Sequence, residues 1–236
     1  MRLLVTRPKI DAEHTAAALR SLGHEAIIAP LLHITVAADA RIGSGPWAAI
    51  VITSANAAHA IAVHPDLTQL RALPVFTVGR RSAQAIIAAG FADVSNADGG
   101  VTELSNLAAA RVRPGASLLY LAGEDRAGDL AGDLRTRGFA VQTAVIYRAV
   151  AAASLPRLAV EALASGIGGV LHFSRRSAET YVAAARTADM LAAALKPVHY
   201  CISAEVAETL SRKGATEVRT AAQPSEAALI ALIGVR

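Results

Sequence analysis

The chain of 236 residues has one cysteine, Cys201, so no disulfide forms within it and an oxidising compartment gains no support. The lone thiol reads as buried and inert rather than catalytic. Aromatic residues are only 4% of the chain, which leaves single-stranded nucleic acid without the platforms on which bases stack. Basic residues come in ones and twos and never in a run. The net charge of +4 and the pI near 9.6 therefore indicate a mild preference for anions, not a nucleic-acid surface. No stretch reaches the roughly 18 apolar residues of a membrane span. The opening Met1-Arg-Leu-Leu-Val-Thr-Arg-Pro8 has too short an apolar run for a signal peptide, so a cytoplasmic protein is expected.

Signature motifs are missing too. There is no Walker A loop, no nucleophile elbow and no dinucleotide glycine fingerprint, and Gly43-Ser-Gly45 precedes no suitable strand-to-helix turn. His59 and His64 lack a cysteine or carboxylate at ligand spacing, so no metal is expected. His172 stands close to Ser174, but nothing places the acid that a catalytic dyad needs. Any chemistry must proceed without a cofactor or a strong nucleophile supplied by the protein.

What is present is a rhythm. Hydrophobic residues are 53% of the chain, much of it alanine. Short β-branched runs alternate with longer Ala-Leu stretches that end in glycine, the pattern of βα units and parallel sheets. Strands are expected at 3–6, 50–53, 75–78, 118–121, 170–173 and 198–202. A helix is expected at 11–22, stopped by Gly23, and later helices stop at Gly90, Gly138 and Gly214.

The units also repeat out of order. Residues 2–30 match 117–145 without a gap at Leu3/Leu118, Leu4/Leu119, Ala12/Ala127, Ala16/Ala131, Leu19/Leu134, Arg20/Arg135 and Gly23/Gly138. Thr53-Ser54 matches Phe173-Ser174, Ala83/Gly90/Val94 matches Ala207/Gly214/Val218, and Thr102-Glu103 matches Ser225-Glu226. The C-terminal block lacks a final unit, and that unit stands at the start of the chain. The expected fold is α/β, with two similar parallel-sheet domains of flavodoxin or Rossmann type. One is continuous (37–143) and one is split (1–30 plus 151–236), joined by a two-stranded β hinge at 31–36 and 144–150. A single continuous doubly wound sheet is the alternative.

In parallel α/β domains ligands bind beyond the carboxyl ends of the strands, where helix N-termini offer free N–H groups. The turns there supply Arg7, then Thr53, Ser54 and Asn56, then Gly79, Arg80 and Ser82, then Gly123 and Arg126. Ser174, Arg175 and Ser203 complete the set. Such residues suit carboxylates or phosphates. Hydroxyls at these positions also cap helices, so capping stands beside binding as a reading of each turn. Glu124-Asp125 is either an acid in one of these turns or a solvated loop.

These residues together resemble the uroporphyrinogen-III synthase family over the whole length. The resemblance rests on Leu4-Val-Thr-Arg-Pro8 with Leu19 and Gly23, on Ile52-Thr-Ser-Ala-Asn56, and on Val78-Gly79 with Ala83 and Gly90. It continues through Leu118 to Gly123 with Leu134, Gly138 and Tyr147, then Phe173-Ser174 and Pro224-Ser-Glu226. It implies two domains with an open cleft and no cofactor. It also implies a reaction in which the linear tetrapyrrole hydroxymethylbilane loses its terminal hydroxyl as water and closes with inversion of ring D to uroporphyrinogen III. The substrate's acetate and propionate groups match the anion-suited turns, and hydroxymethylbilane synthase is the implied source of the substrate. The resemblance places a proton donor at Tyr147, in the strip Ala144-Val-Ile-Tyr-Arg-Ala-Val150. Where many relatives carry threonines, this chain has Ile202-Ser-Ala-Glu-Val-Ala207, so the continuous domain is expected to hold more of the carboxylates. A monomer is expected. A non-catalytic cytoplasmic sensor of a tetrapyrrole or another anion is the competing reading.

Overall fold

The computed structural model describes residues 1–37, 39–126 and 128–234; Ala127, one member of a repeat pair, lies outside them. The chain begins with β1 (Arg2–Val5), α1 (Lys9–Ser21), β2 (Glu25–Ile28), β3 (Leu32–Val36), β4 (Ala49–Ile52), α2 (Ala55–Ala62) and α3 (Leu67–Leu70). It continues with β5 (Val75–Thr77), α4 (Arg80–Ala88), β6 (Val94–Asn96), α5 (Val101–Arg111), β7 (Ser117–Gly123), α6 (Leu130–Thr136) and β8 (Ala140–Ala151). The last elements are α7 (Arg157–Ser165), β9 (Gly169–His172), α8 (Arg175–Thr187), α9 (Leu191–Leu195), β10 (Val198–Cys201), α10 (Ala204–Ser211), β11 (Val218–Thr220) and α11 (Glu226–Ala231).

Two compact units emerge. Unit 1 comprises Met1–His33 and Val150–Arg236, and unit 2 comprises Ile34–Ala149. Unit 1 carries a five-stranded sheet in the order β11-β10-β9-β1-β2, and its four pairings are parallel. The N-terminal strand enters beside a late one, with Leu3 level with Gly169 on one side and Ala26 on the other. Unit 2 carries a separate six-stranded sheet in the order β3-β8-β7-β4-β5-β6, parallel from β8 to β6. Ala37 donates to the carbonyl of Ile146 and Ala152 to that of Leu31, both at 2.9 Å, so β3 and β8 run in opposite directions.

The apolar runs become strands because both faces of each sheet are covered. Along β4 the residues Ala49 to Ile52 are all 0% exposed. Side chains of a strand alternate between faces. Ile50, Ile52, Leu119 and Leu121 accordingly join one core of unit 2, and Ala49, Val51, Leu118 and Tyr120 the other. In unit 1, Leu4 and Val170 lie on one face, and Leu3, Val5 and Leu171 on the opposite one. The repeat partners Gly23 and Gly138 have φ of 81° and 85°, a left-handed conformation in which glycine ends a helix without a Cβ clash.

The expected strands and the first helix are displaced at their ends by one or two residues. β7 runs on through Gly123, and β8 is one strand of 12 residues that takes in the whole strip from residue 144 to 150. No glycine, proline or turn-forming pair interrupts Ala140–Ala151, so the chain stays extended through the whole strip. The outer strands β6 and β11 have three residues each and no fully buried position, which is why no apolar run announces them.

Candidate active site

The strand order of unit 2 sets the turn after β4 between those after β7 and β5. Thr53, Ser54, Asn56, Gly79, Arg80, Ser82, Gly123 and Arg126 therefore gather at the carboxyl ends of one sheet. Ser54 caps α2, its Oγ accepting from the N–H of Asn56 at 3.2 Å. Thr53 is half-buried, and its Oγ1 is 3.2 Å from the hydroxyl of Tyr120. Tyr120 escaped notice in the sequence, although it is the one aromatic in an otherwise aliphatic strand. Gly79 caps α4 in extended conformation, and no heavy atom lies within 4 Å of where a Cβ would stand. The space that a side chain would take at Gly79 is therefore empty. Ser82 is buried in the first turn of α4, whereas Arg80 is exposed and pairs with Asp98 at 3.3 Å. Arg126 is exposed and lines a hollow together with Glu124, Asp125 and Asp129.

Tyr147 belongs to this same end. Ala122 pairs with Val145, but Gly123 pairs with Tyr147, so Ile146 is an extra residue in β8. Such a bulge re-aims the side chains beyond it. Strict alternation would send residues 146 and 147 to opposite faces; instead both Ile146 and Tyr147 pack on the core that contains Ile52 and Leu121. The backbone carbonyl of Tyr147 accepts from the N–H of Glu124 at 3.0 Å, and Arg148 pairs with the Glu124 carboxylate at 3.5 Å.

Unit 1 arranges its turns differently. Ser174 caps α8 by accepting from the N–H of Ser177 at 3.1 Å, and Ser203 caps α10 by accepting from the N–H of Val206 at 3.5 Å. Arg175 pairs with Glu205 at 3.3 Å and with Glu179 at 3.7 Å. Arg7 lies 4.0 Å over the ring of Phe173 and pairs with Glu226 at 3.2 Å and Asp11 at 3.7 Å. Thr15 adds a hydrogen bond to Glu226. Only 17% of the Arg7 side chain is exposed, so its charge is already met by the protein's own carboxylates.

The remaining reactive side chains are buried in structural roles. His172 and His199 share a hydrogen bond of 3.1 Å between Nε2 and Nδ1, with Tyr181 edge-on to both rings. Burial pushes His172 well below its ordinary value, helped by His199. Burial likewise lowers His199 to about 4, and the Leu195 backbone opposes this without reaching hydrogen-bond geometry at Nε2. His172 is thus committed to another histidine and not to Ser174. Burial pushes the Cys201 thiol up to about 12, which fits an inert thiol. His64 uses Nε2 toward the carbonyl of Ala40 and Nδ1 toward the N–H of Asp66. Among the described residues no three His, Cys, Asp or Glu side chains are grouped to hold a metal.

A polar hollow of about 730 Å³ opens beside Tyr120, Glu124, Asp125, Arg126, Asp129 and Thr143 in unit 2. A second, of about 300 Å³, lies among Ala48, Pro74, Phe76, Asp93 and Arg111, at the amino ends of β4 and β5, away from the turns above. Among the described residues no helix is long and apolar enough to cross a membrane.

Two α/β units built mainly on parallel sheets, with hydroxyls, glycine and arginine in the turns beyond their strands, define the fold class in which small molecules bind at the carboxyl ends of the strands. The sequence profile described as uroporphyrinogen-III synthase HemD matches residues 13–231, and the chain belongs to the uroporphyrinogen-III synthase family, lyases of tetrapyrrole synthesis. No curated protein sequence matches it. The fold is similar to that of uroporphyrinogen-III synthetase from Helicobacter pylori, with a TM-score of 0.64 at 18% identity over 99% of this chain and 98% of that one. A mutant uroporphyrinogen III synthase from Thermus thermophilus has a TM-score of 0.50 at 16% identity over 99% and 97%.

Proposed function

We propose that this chain performs the family's ring closure with Tyr147 as proton donor and with the turns of unit 2 holding most of the substrate's carboxylates. The observation that carries the assignment is the placement of Tyr147. The bulge in β8 brings its phenol over Gly123 at the carboxyl end of β7, next to the turn of Thr53 and Ser54. A phenol with an ordinary value of about 10 is protonated at neutral pH and can donate. Its proton and the terminal hydroxyl of hydroxymethylbilane leave together as water, and the resulting azafulvene cation is attacked by the substituted carbon of ring D. The cationic spiro intermediate then rearranges to the inverted macrocycle, and loss of the α-proton of ring D restores the pyrrole and returns a proton to the Tyr147 phenolate. Hydroxymethylbilane also closes unaided to the uninverted isomer, so holding the chain ends in geometry matters more than activating them.

Carboxylate binding falls to the backbone at Gly79, to Arg80 and Arg126, and to the hydroxyls of Thr53, Ser54, Ser82, Ser174 and Ser203. Arg7 contributes less, because it faces Asp11 and Glu226 from a largely buried position, and Arg175 less than Arg80, because it faces two carboxylates where Arg80 faces one. In this reading residues 31–36 and 144–150 serve as the hinge between domain 1–30 plus 151–236 and domain 37–143. The protein acts as a cytoplasmic monomer and takes its labile substrate from hydroxymethylbilane synthase.

The test is to supply hydroxymethylbilane, oxidise the products and separate the isomers. The protein should yield type III; a pure type I product equal to the control without protein would leave only a sensor. In Tyr147→Phe the turnover to type III should fall by roughly a hundredfold, as loss of a general acid does, with an unchanged melting temperature. Wild-type turnover in that variant removes Tyr147 from the role.

A further inference from the structure

Gly123 is a glycine that the backbone does not require. Ten other glycines have positive φ, but Gly123 is not among them, so its main chain would accept an ordinary residue. What excludes a side chain is Tyr147. A Cβ built on Gly123 would stand 2.5 Å from Cζ, 2.7 Å from Cε2 and 2.7 Å from the hydroxyl oxygen of Tyr147. The hydroxyl end of the phenol thus lies across the space that any other residue would fill. At Gly79, also without positive φ, the same space is empty.

We propose that Gly123 is a positioning residue for the ring closure, its missing side chain forming the seat that holds the Tyr147 hydroxyl at the carboxyl end of β7. This rests on the assignment of Tyr147 as proton donor. Three features act together on the ring. The extra residue Ile146 turns Tyr147 onto the face of Gly123, and the Glu124 N–H holds the Tyr147 carbonyl at 3.0 Å. Gly123 then leaves the phenol one place to lie. Even alanine would have to displace the ring, because the blocking atoms belong to a rigid aromatic side chain that turns about only two bonds and packs on the core. A shift of the order of 1 Å in a catalytic group is enough to cost up to about a hundredfold in rate.

The experiment is a double-variant cycle read as kcat and KM for type III formation. Gly123→Ala alone should lower kcat by roughly ten- to a hundredfold with KM nearly unchanged. In the Tyr147→Phe background, where no hydroxyl remains to be misplaced, the same substitution should cost less than about twofold. Equal losses in both backgrounds would make Gly123 merely structural, and wild-type kcat in Gly123→Ala would dismiss the seat. Should Gly123→Ala fail to fold, Gly123→Ala with Tyr147→Ala decides. Folding at the melting temperature of Tyr147→Ala alone supports the seat, and failure to fold overturns it. If Tyr147→Phe itself turns over like wild type, the donor assignment fails, whereas a damaged Tyr147→Phe beside a healthy Gly123→Ala refutes the seat alone.

Discussion

The turn Gly79-Arg80-Arg81-Ser82 of unit 2 and the turn Ser203-Ala204-Glu205-Val206 of unit 1 occupy the same place in the repeat, at the end of an equivalent strand and the start of an equivalent helix. In unit 2 the space for a side chain at Gly79 is empty, and Arg80, paired with the exposed Asp98, is 79% exposed. In unit 1 a serine that caps α10, Ser203, stands where unit 2 has Gly79, and Glu205 takes up Arg175. The turn after β1 shows the same habit, since Arg7 is held by Asp11 and Glu226. A repeated scaffold therefore fixes where functional groups stand, but neighbouring charges decide whether they are available to a ligand. Unit 1 uses its site-turn cations to hold itself together, and unit 2 leaves more of its own exposed.

Replacing Arg7 tests that contrast most strongly. Arg7→Ala leaves the carboxylate of Glu226, 24% exposed, without its cation and strips the cover from Phe173. Removing the cation from a partly buried carboxylate costs about 1–3 kcal/mol even where a hydroxyl, here that of Thr15, still bonds to it, so the melting temperature should fall by several degrees. Unchanged stability with a raised KM would return Arg7 to the substrate.

Acid should separate the units next. The folded values of His172 and His199 lie below 6.5, at about 4 for His199. Between those limits the unfolded chain binds more protons than the folded one. Stability from this pair is therefore full above pH 6.5 and is lost as pH falls toward 4, by up to about 1.4 kcal/mol per pH unit for each histidine. Hydrogen exchange at pH 7 and pH 5 should show unit 1 losing protection first, while the fluorescence of Trp47, in unit 2, changes later. Earlier loss in unit 2 contradicts the assignment.

The smallest effect is expected from the exposed arginines. Arg80→Ala should raise KM severalfold and leave the melting temperature unchanged, because an ion pair exposed at 79% and 62% contributes little stability. Arg175→Ala should raise KM less than Arg80→Ala does. The reverse order would place the carboxylates mainly in unit 1.

Much of the fold was legible because parallel strands covered on both faces read as unbroken apolar runs, as at Ala49–Ile52, and because Gly23 and Gly138 mark helix ends by backbone necessity. The capping hydroxyls Ser54, Ser174 and Ser203 were legible as turn residues, though not as caps or ligands, since one residue type serves both. The partnership of Arg7 with Glu226 was not legible. It joins the first strand's turn to the last helix, and no local pattern records a contact between residues more than two hundred positions apart.

The sequence by itself determined the α/β class, the order of the repeat and the family, because periodicity, glycine stops and motif order are local properties of the chain. Only the tertiary structure decided which charges remain available and where Tyr147 points. Burial and ion pairing depend on neighbours brought from afar, and one extra residue in β8 shifts the register by a step that alternation alone cannot foretell.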